Sequence, residues 1–235
     1  MALFNTLPKA TVSLRVLARL LGYPDAELRS HLADMRGALH QEKALVPQRL
    51  AELDALIELL QRKEALEVES DYVELFDRGR ATSLHLFEHV HGDSRERGPA
   101  MIDLAQTYEK AGMYLAEGEL PDFLPVVLEF TSTQPPREAR EFLAEMAHIF
   151  NAIFAALQQR GTAYACVLGA LLELAGEKAS PVEIAVEESI DAIWQEPVVF
   201  DGCSSKGQAR PEQPQPIHIV PNPSRKARPT SGAQA

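Results

Sequence analysis

The chain has 235 residues, with 23 Lys and Arg against 34 Asp and Glu for a formal net charge of −11, and 46% of its residues are hydrophobic. At this length a chain buries roughly 70% of its unfolded surface, so its core needs no metal or disulfide framework, and its two cysteines, Cys166 and Cys203, fit a reducing compartment. The acidic balance argues against binding nucleic-acid phosphates or anionic lipid; no apolar run approaches the ~18–20 residues of a membrane span, and the start lacks the layout of a secretion signal, so a cytoplasmic protein is expected.

Apolar residues recur at helical spacing along most of the chain. Val12, Val16, Leu17, Leu20 and Leu21 predict a first helix, stopped by Gly22-Tyr23-Pro24. Leu28, Leu32, Met35 and Leu39 predict a second, with Asp25 placed to cap it. Pro47 suits a first helical turn and leads into Leu50, Leu53, Leu56, Ile57 and Leu60. Tyr72, Val73, Leu75 and Phe76 end a helix at Gly79, and Pro99 opens one carrying Met101, Leu104 and Tyr108 that Gly112 weakens or ends. Pro121 and Pro125 suit a rigid start to a helix over 121–130. Phe142, Met146, Ile149, Phe150, Ile153 and Phe154 trace one broad stripe. Cys166, Leu168, Leu171, Leu172 and Leu174 form another, closed by Gly176. Ser180-Pro181 opens a last helix through Val182, Ile190 and Trp194. No run alternates apolar with polar residues, so the expected fold is all-α, a single multi-helix domain over residues 1–202.

Residues 203–235 differ. They hold five basic residues against one acid, a charge of +4, which leaves −15 on residues 1–202. Six prolines and few apolar residues predict a disordered tail. It is either a solubilising extension or a weak docking segment centred on Ile217–Val220.

The densest chemistry lies between Tyr72 and Met101, YVELFDRGRATSLHLFEHVHGDSRERGPAM. His85-Leu86-Phe87-Glu88-His89 matches the H-x-x-E-H pattern of inverted zinc peptidases: two histidines four apart share a helix face, and Glu88 would act on a bound water. The pattern supplies no third protein ligand, and a packed or hydrogen-bonding histidine helix is the plainer alternative. Ser83 and Ser94 lie outside any G-x-S-x-G elbow. Cys166 sits in an apolar stripe as a small buried thiol, and no phosphate-binding glycine loop occurs. No enzymatic activity and no cofactor are expected. Arg78, Arg80, Arg95 and Arg97 interleave with Asp77, Glu88, Asp93 and Glu96, while His85, His89 and His91 stand among apolar residues. Two readings stay open: an ion-pair network bracing the turn at Gly92, or a recognition surface with an apolar floor and a charged rim.

The run YVELFDRGRATSLHLFEHVHGDSRERGPAMIDL, together with LARLLGYPD (17–25) and ELPDFLPVVLEF (119–130), resembles the nitrate reductase molybdenum cofactor assembly chaperones, also called the delta subunit family. The likeness covers roughly residues 11–200. The 119–130 block also resembles the E-P-x-D-H motif of the wider molybdoenzyme chaperones, but Leu120 replaces the acid and Phe123 the histidine, so no histidine role transfers. The resemblance implies a private chaperone. Such a protein binds the immature catalytic subunit of respiratory nitrate reductase, through its N-terminal leader-like helix and a second surface. It keeps that subunit open to molybdenum cofactor insertion, alongside cofactor delivery proteins, delays its membrane docking, and leaves before the enzyme works. In that frame Tyr72, Phe76, Leu84, Phe87, Leu124 and Phe130 are expected to line or support an apolar groove. Asp77, Glu88, Asp122 and Glu129 would face the leader's cations, with His89 and His91 beside them. The four arginines would brace the loop or meet client acids. Clustered His85, His89 and His91 predict pH-dependent binding between about pH 5 and 8.

Overall fold

A computed structural model describes residues 9–92 and 94–180, so the Val182–Trp194 helix, Asp93, the boundary at 202 and the tail lie outside the described residues. The first apolar stripe forms α1 (Thr11–Leu20). The second predicted helix is two, α2 (Ala26–Ser30) and α3 (Leu32–Glu42), broken at His31. Asp25 caps α2 as expected, its carboxylate accepting the Leu28 N–H at 2.7 Å. Pro47 opens α4 (Pro47–Arg62), and α5 (Ala65–Phe76) carries the start of the dense segment. A 3₁₀ turn, Arg80–Thr82, and a five-residue helix, α6 (Leu86–Val90), follow. Then come α7 (Arg97–Lys110), α8 (Leu124–Thr133), α9 (Pro136–Glu145), α10 (Ala147–Gln159) and α11 (Ala165–Ala175).

The fold is all-α, and among the described residues no helix is long and apolar enough to cross a membrane. Other boundaries also differ from the spacing, and α7 begins at Arg97, two residues before the expected opening at Pro99. The helix predicted over 121–130 begins only at Leu124, with Pro125 in its first turn and Pro121 in the preceding loop. The stripe from Phe142 to Phe154 is divided at Met146 between α9 and α10, whose apolar faces meet the same core and so read as one period.

The core is assembled around α11, which is apolar on nearly every side and packs against α10, α9 and α4, while α1 lies across α8 and α3. Leu17, Leu53, Ile57, Phe150, Ile153, Val167, Leu168 and Leu171 are fully buried in it. Gly169 leaves room on α11 for the Arg49 guanidinium, on which a Cβ there would fall. Gly176 ends α11 in the left-handed region at φ 83°, as its placement in the sequence anticipates. A smaller apolar cluster of Tyr108, Val126 and Phe130 joins α7 to α8.

Candidate functional site

The dense segment is organised by one buried carboxylate. Leu86 N–H donates to the Asp122 carbonyl (3.0 Å) and Leu124 N–H to the Leu84 carbonyl (2.8 Å), so residues 84–86 run antiparallel to the 122–124 stretch through a single His85–Phe123 bridge. This brings Asp122, fully buried, beneath the N-terminus of α6. Its Oδ2 accepts the Phe87 N–H at 3.1 Å, supplying from 35 residues away the cap that α6 lacks locally. Its Oδ1 lies 3.4 Å from His85 Nδ1. Arg97 Nη2 stands 3.7 Å from Asp122 Oδ2 and 3.4 Å from Glu88 Oε1, closing the cluster from α7. The hydrogen bond to Asp122 raises the His85 pKa above the ordinary imidazole value, against the opposing effect of burial. The ring also packs 5.2 Å from Phe123.

This geometry takes away the zinc hydrolase reading. His85 is extended (φ −89°, ψ 105°) and precedes α6, so it does not share a helix face with His89. His85 is turned to Asp122, while His89 Nε2 donates to the Ser83 carbonyl at 2.9 Å. Among the described residues no group of three or more His, Cys, Asp or Glu could hold a metal ion. Cys166 is buried as expected, and desolvation pushes its thiol up to about 12, far from a reactive thiolate.

Most of the apolar residues expected to line or support a groove lie inside the protein. Tyr72, Phe76, Leu84, Leu124 and Phe130 are all buried, because each sits on the inward stripe of its helix or loop. They are core rather than groove surface, though Tyr72 and Phe76 back the molecular face against which Tyr164 packs, with ring centroids 6.3 and 5.1 Å from it. The Tyr72 hydroxyl donates to the Leu21 carbonyl at 2.7 Å, tying α5 to the end of α1. Asp122 likewise cannot face a client's cations: with no exposed surface, its charge is spent on Phe87, His85 and Arg97. Phe87, Glu88, His89 and His91 are half-buried, with His91 edge-on to Phe87 at 5.4 Å, while Asp77 and Glu129 are exposed.

Of the four arginines, Arg97 braces the loop and Arg78 pairs with Glu74 on α5 at 2.8 Å. Arg80 and Arg95 lie on the surface. Of the interleaved charges, Arg97 and Glu88 form a brace that Asp122 extends. Sequence reasoning missed Thr82, whose buried hydroxyl donates to the Leu75 carbonyl, and gave Tyr108 only a core role. Tyr108 donates to the Pro121 carbonyl at 2.8 Å and so positions the loop that carries Asp122. Nothing local to either residue announces these partners.

The family description "Nitrate reductase delta subunit" matches residues 40–168, a stretch that contains this whole cluster. The chain belongs to the nitrate reductase delta subunit family. It is similar to the nitrate reductase molybdenum cofactor assembly chaperone NarJ of Escherichia coli K12, with 40% identity over 195 residues, covering 79% of this chain and 83% of that protein. It is 35% identical over 193 residues to the E. coli K12 protein named "Probable nitrate reductase molybdenum cofactor assembly chaperone NarW", covering 78% of this chain and 80% of that one. A solved structure of a redox enzyme maturation protein from Archaeoglobus fulgidus shares the fold of this delta subunit family member at a TM-score of 0.50. That match has 20% identity and spans 71% of this chain and 94% of the other. NarJ and NarW are both named for assembly of nitrate reductase.

Proposed function

We propose that this protein is an assembly chaperone for the catalytic subunit of a respiratory nitrate reductase, acting without enzymatic chemistry of its own. The observation that carries the reading is the 40% identity with E. coli NarJ over 195 residues, which spans the Asp122 cluster and most of the helical body. In this role the chain binds the immature subunit through its N-terminal leader-like helix and a second surface. It holds that subunit competent for insertion of the molybdenum cofactor by delivery proteins, delays docking on the membrane subunit, and departs from the finished enzyme. It works in the cytoplasm, where the client is completed. The charge of −15 on residues 1–202 supports a basic client segment, since opposite fields speed encounter and fix orientation. A helical segment of about 15 residues bound in an apolar groove reaches micromolar to nanomolar affinity, roughly −8 to −12 kcal/mol.

The test is production of the catalytic subunit in cells with and without this chain, followed by elemental analysis of the purified subunit. The subunit made without the chain is expected to carry little molybdenum and to regain it when the chain is supplied. Equal molybdenum content in both preparations overturns the proposal.

A further inference from the structure

The outer face of α5 is apolar along its middle and acidic on its flanks. Leu66, Ser70 and Val73 follow one another at intervals of four and three, so they share one stripe. Leu66 is 78% exposed, more than any other large apolar side chain among the described residues, and Val73 is half-buried. Tyr23, 45% exposed, stands beside the stripe with its ring edge-on to Tyr72 at 5.7 Å. With Glu69, Glu74 and Arg78 these residues line an open cleft of about 240 Å³.

The charge around the stripe is one-sided. Residues 63–78 hold six acids, Glu64, Glu67, Glu69, Asp71, Glu74 and Asp77, against Lys63 and Arg78, a net −4. Lys63 is shared between Asp71 at 2.7 Å and Glu67 at 3.1 Å, and Arg78 pairs with Glu74 at 2.8 Å. No Lys or Arg among the described residues pairs with Glu64, Glu69 or Asp77, and Glu69 accepts the Tyr23 hydroxyl at 3.1 Å. On the Tyr23 side, Arg19 is taken by Asp25 at 3.6 Å and Glu27 at 3.8 Å. An occupant of this face is therefore apolar in its middle and cationic on either side.

The chain carries such a segment itself. Ile217-His218-Ile219-Val220 is preceded by Lys206 and Arg210 and followed by Arg225, Lys226 and Arg228, with Glu212 as the one acid between them. Four residues span at most about 13 Å, against about 10 Å for the stripe from Leu66 to Val73 at ~1.5 Å per helical residue. The 37 residues from Ser180 to Ile217 reach up to about 120 Å. A domain of about 170 residues has a radius of gyration of about 16 Å, so the attachment leaves this face within range.

We propose that residues 206–228 of the chain dock on the outer face of α5, with the Ile217–Val220 patch over Tyr23, Leu66 and Val73 and the flanking cations beside Glu64, Glu69 and Asp77. Being covalently attached, this segment competes at a high effective concentration with any separate partner, so a weak contact suffices. It shields the apolar stripe, and a cationic partner of this face has to displace it. The contact does not depend on which client the protein serves.

The experiment uses the full chain with Leu66 replaced by the photo-crosslinker p-benzoylphenylalanine, and a control in which Ile102 on α7, 59% exposed, is replaced in the same way. Both positions are exposed, and circular dichroism verifies that each variant is folded. Dilute protein is irradiated, and digestion with mass spectrometry locates the attached peptide. Position 66 is expected to cross-link within the monomer to the peptide containing Ile217–Val220, severalfold more than position 102 does. Reversing the charges with Arg225→Glu, Lys226→Glu and Arg228→Glu, or raising the salt to about 1 M, is expected to lower that yield severalfold. No cross-link from position 66 to residues 203–235, or equal yields from positions 66 and 102, overturns the proposal. So does a yield that neither charge reversal nor salt changes. A cross-link found only in dimers makes a second copy the occupant and overturns the intramolecular contact.

Discussion

Replacing Asp122 by alanine isolates the interaction that orders the dense segment. The carboxylate is fully buried and accepts the Phe87 N–H at 3.1 Å, next to His85 and Arg97. A hydrogen bond to a charged group contributes about 1.5–3 kcal/mol. Removing one member of a fully buried ion pair costs about 3–5 kcal/mol, but the side chains of His85 and Arg97 are 33% and 27% exposed, so water solvates part of what they lose. Arg97 also keeps Glu88. The expected loss for Asp122→Ala is therefore about 3 kcal/mol, the lower edge of the buried-pair range. With 2–4 °C per kcal/mol for a domain of this size, Tm falls by roughly 6–12 °C. Asp122→Asn keeps an oxygen for the Phe87 N–H and loses only the charge, so its cost is about 1–2 kcal/mol. Urea unfolding at pH 7 followed by far-ultraviolet circular dichroism measures both, with the slope unchanged if only the folded state is affected. Amide exchange adds a local reading: protection at Phe87 should vanish in the alanine variant while α10 and α11 stay protected. An alanine variant within about 0.5 kcal/mol of wild type, with Phe87 still protected, refutes the assignment of Asp122 as the cap of α6.

Two further outcomes follow from the same cluster. His85 has a raised pKa in the fold because of Asp122, so its contribution is complete below its ordinary value near 6.5 and lost as pH rises through the raised value. The ring is a third exposed, so the loss between pH 6 and pH 8 is below about 1 kcal/mol; His85→Gln should flatten that slope in urea titrations, and parallel curves for the two proteins dispose of the coupling. Tyr108→Phe removes the buried 2.8 Å bond to the Pro121 carbonyl and is expected to cost about 1–2 kcal/mol and to loosen exchange at the 122–124 backbone, whereas a neutral effect on both denies Tyr108 a positioning role.

The helices were legible wherever a periodic stripe met a stop signal: Asp25, Pro47 and Gly176 all fall where the structure starts or ends an element. The breaks at His31 and Met146 were not, because neither carries Gly or Pro and the apolar period continues across each of them. The candidate site was legible as a segment, but whether each residue lines a groove or supports it from beneath was left open for a related reason. Types such as Tyr72, Phe76 and Asp122 serve equally well in a groove or beneath one, and periodicity does not say which side of a wall a residue occupies. What decides it is pairing across distance: Asp122 meets Phe87 from 35 positions away.

That division has a physical reason. A loop such as 84–97 cannot bury a continuous apolar face of its own, so its backbone groups need partners supplied from elsewhere, and a charged hub satisfies several of them at once. Asp122, Arg97 and Tyr108 fix the 84–124 connection in this way. Substitutions at Asp122 and Tyr108 should therefore lower stability and loosen amide exchange at 84–87 and 122–124 together, which measuring both quantities on the variants named above makes visible.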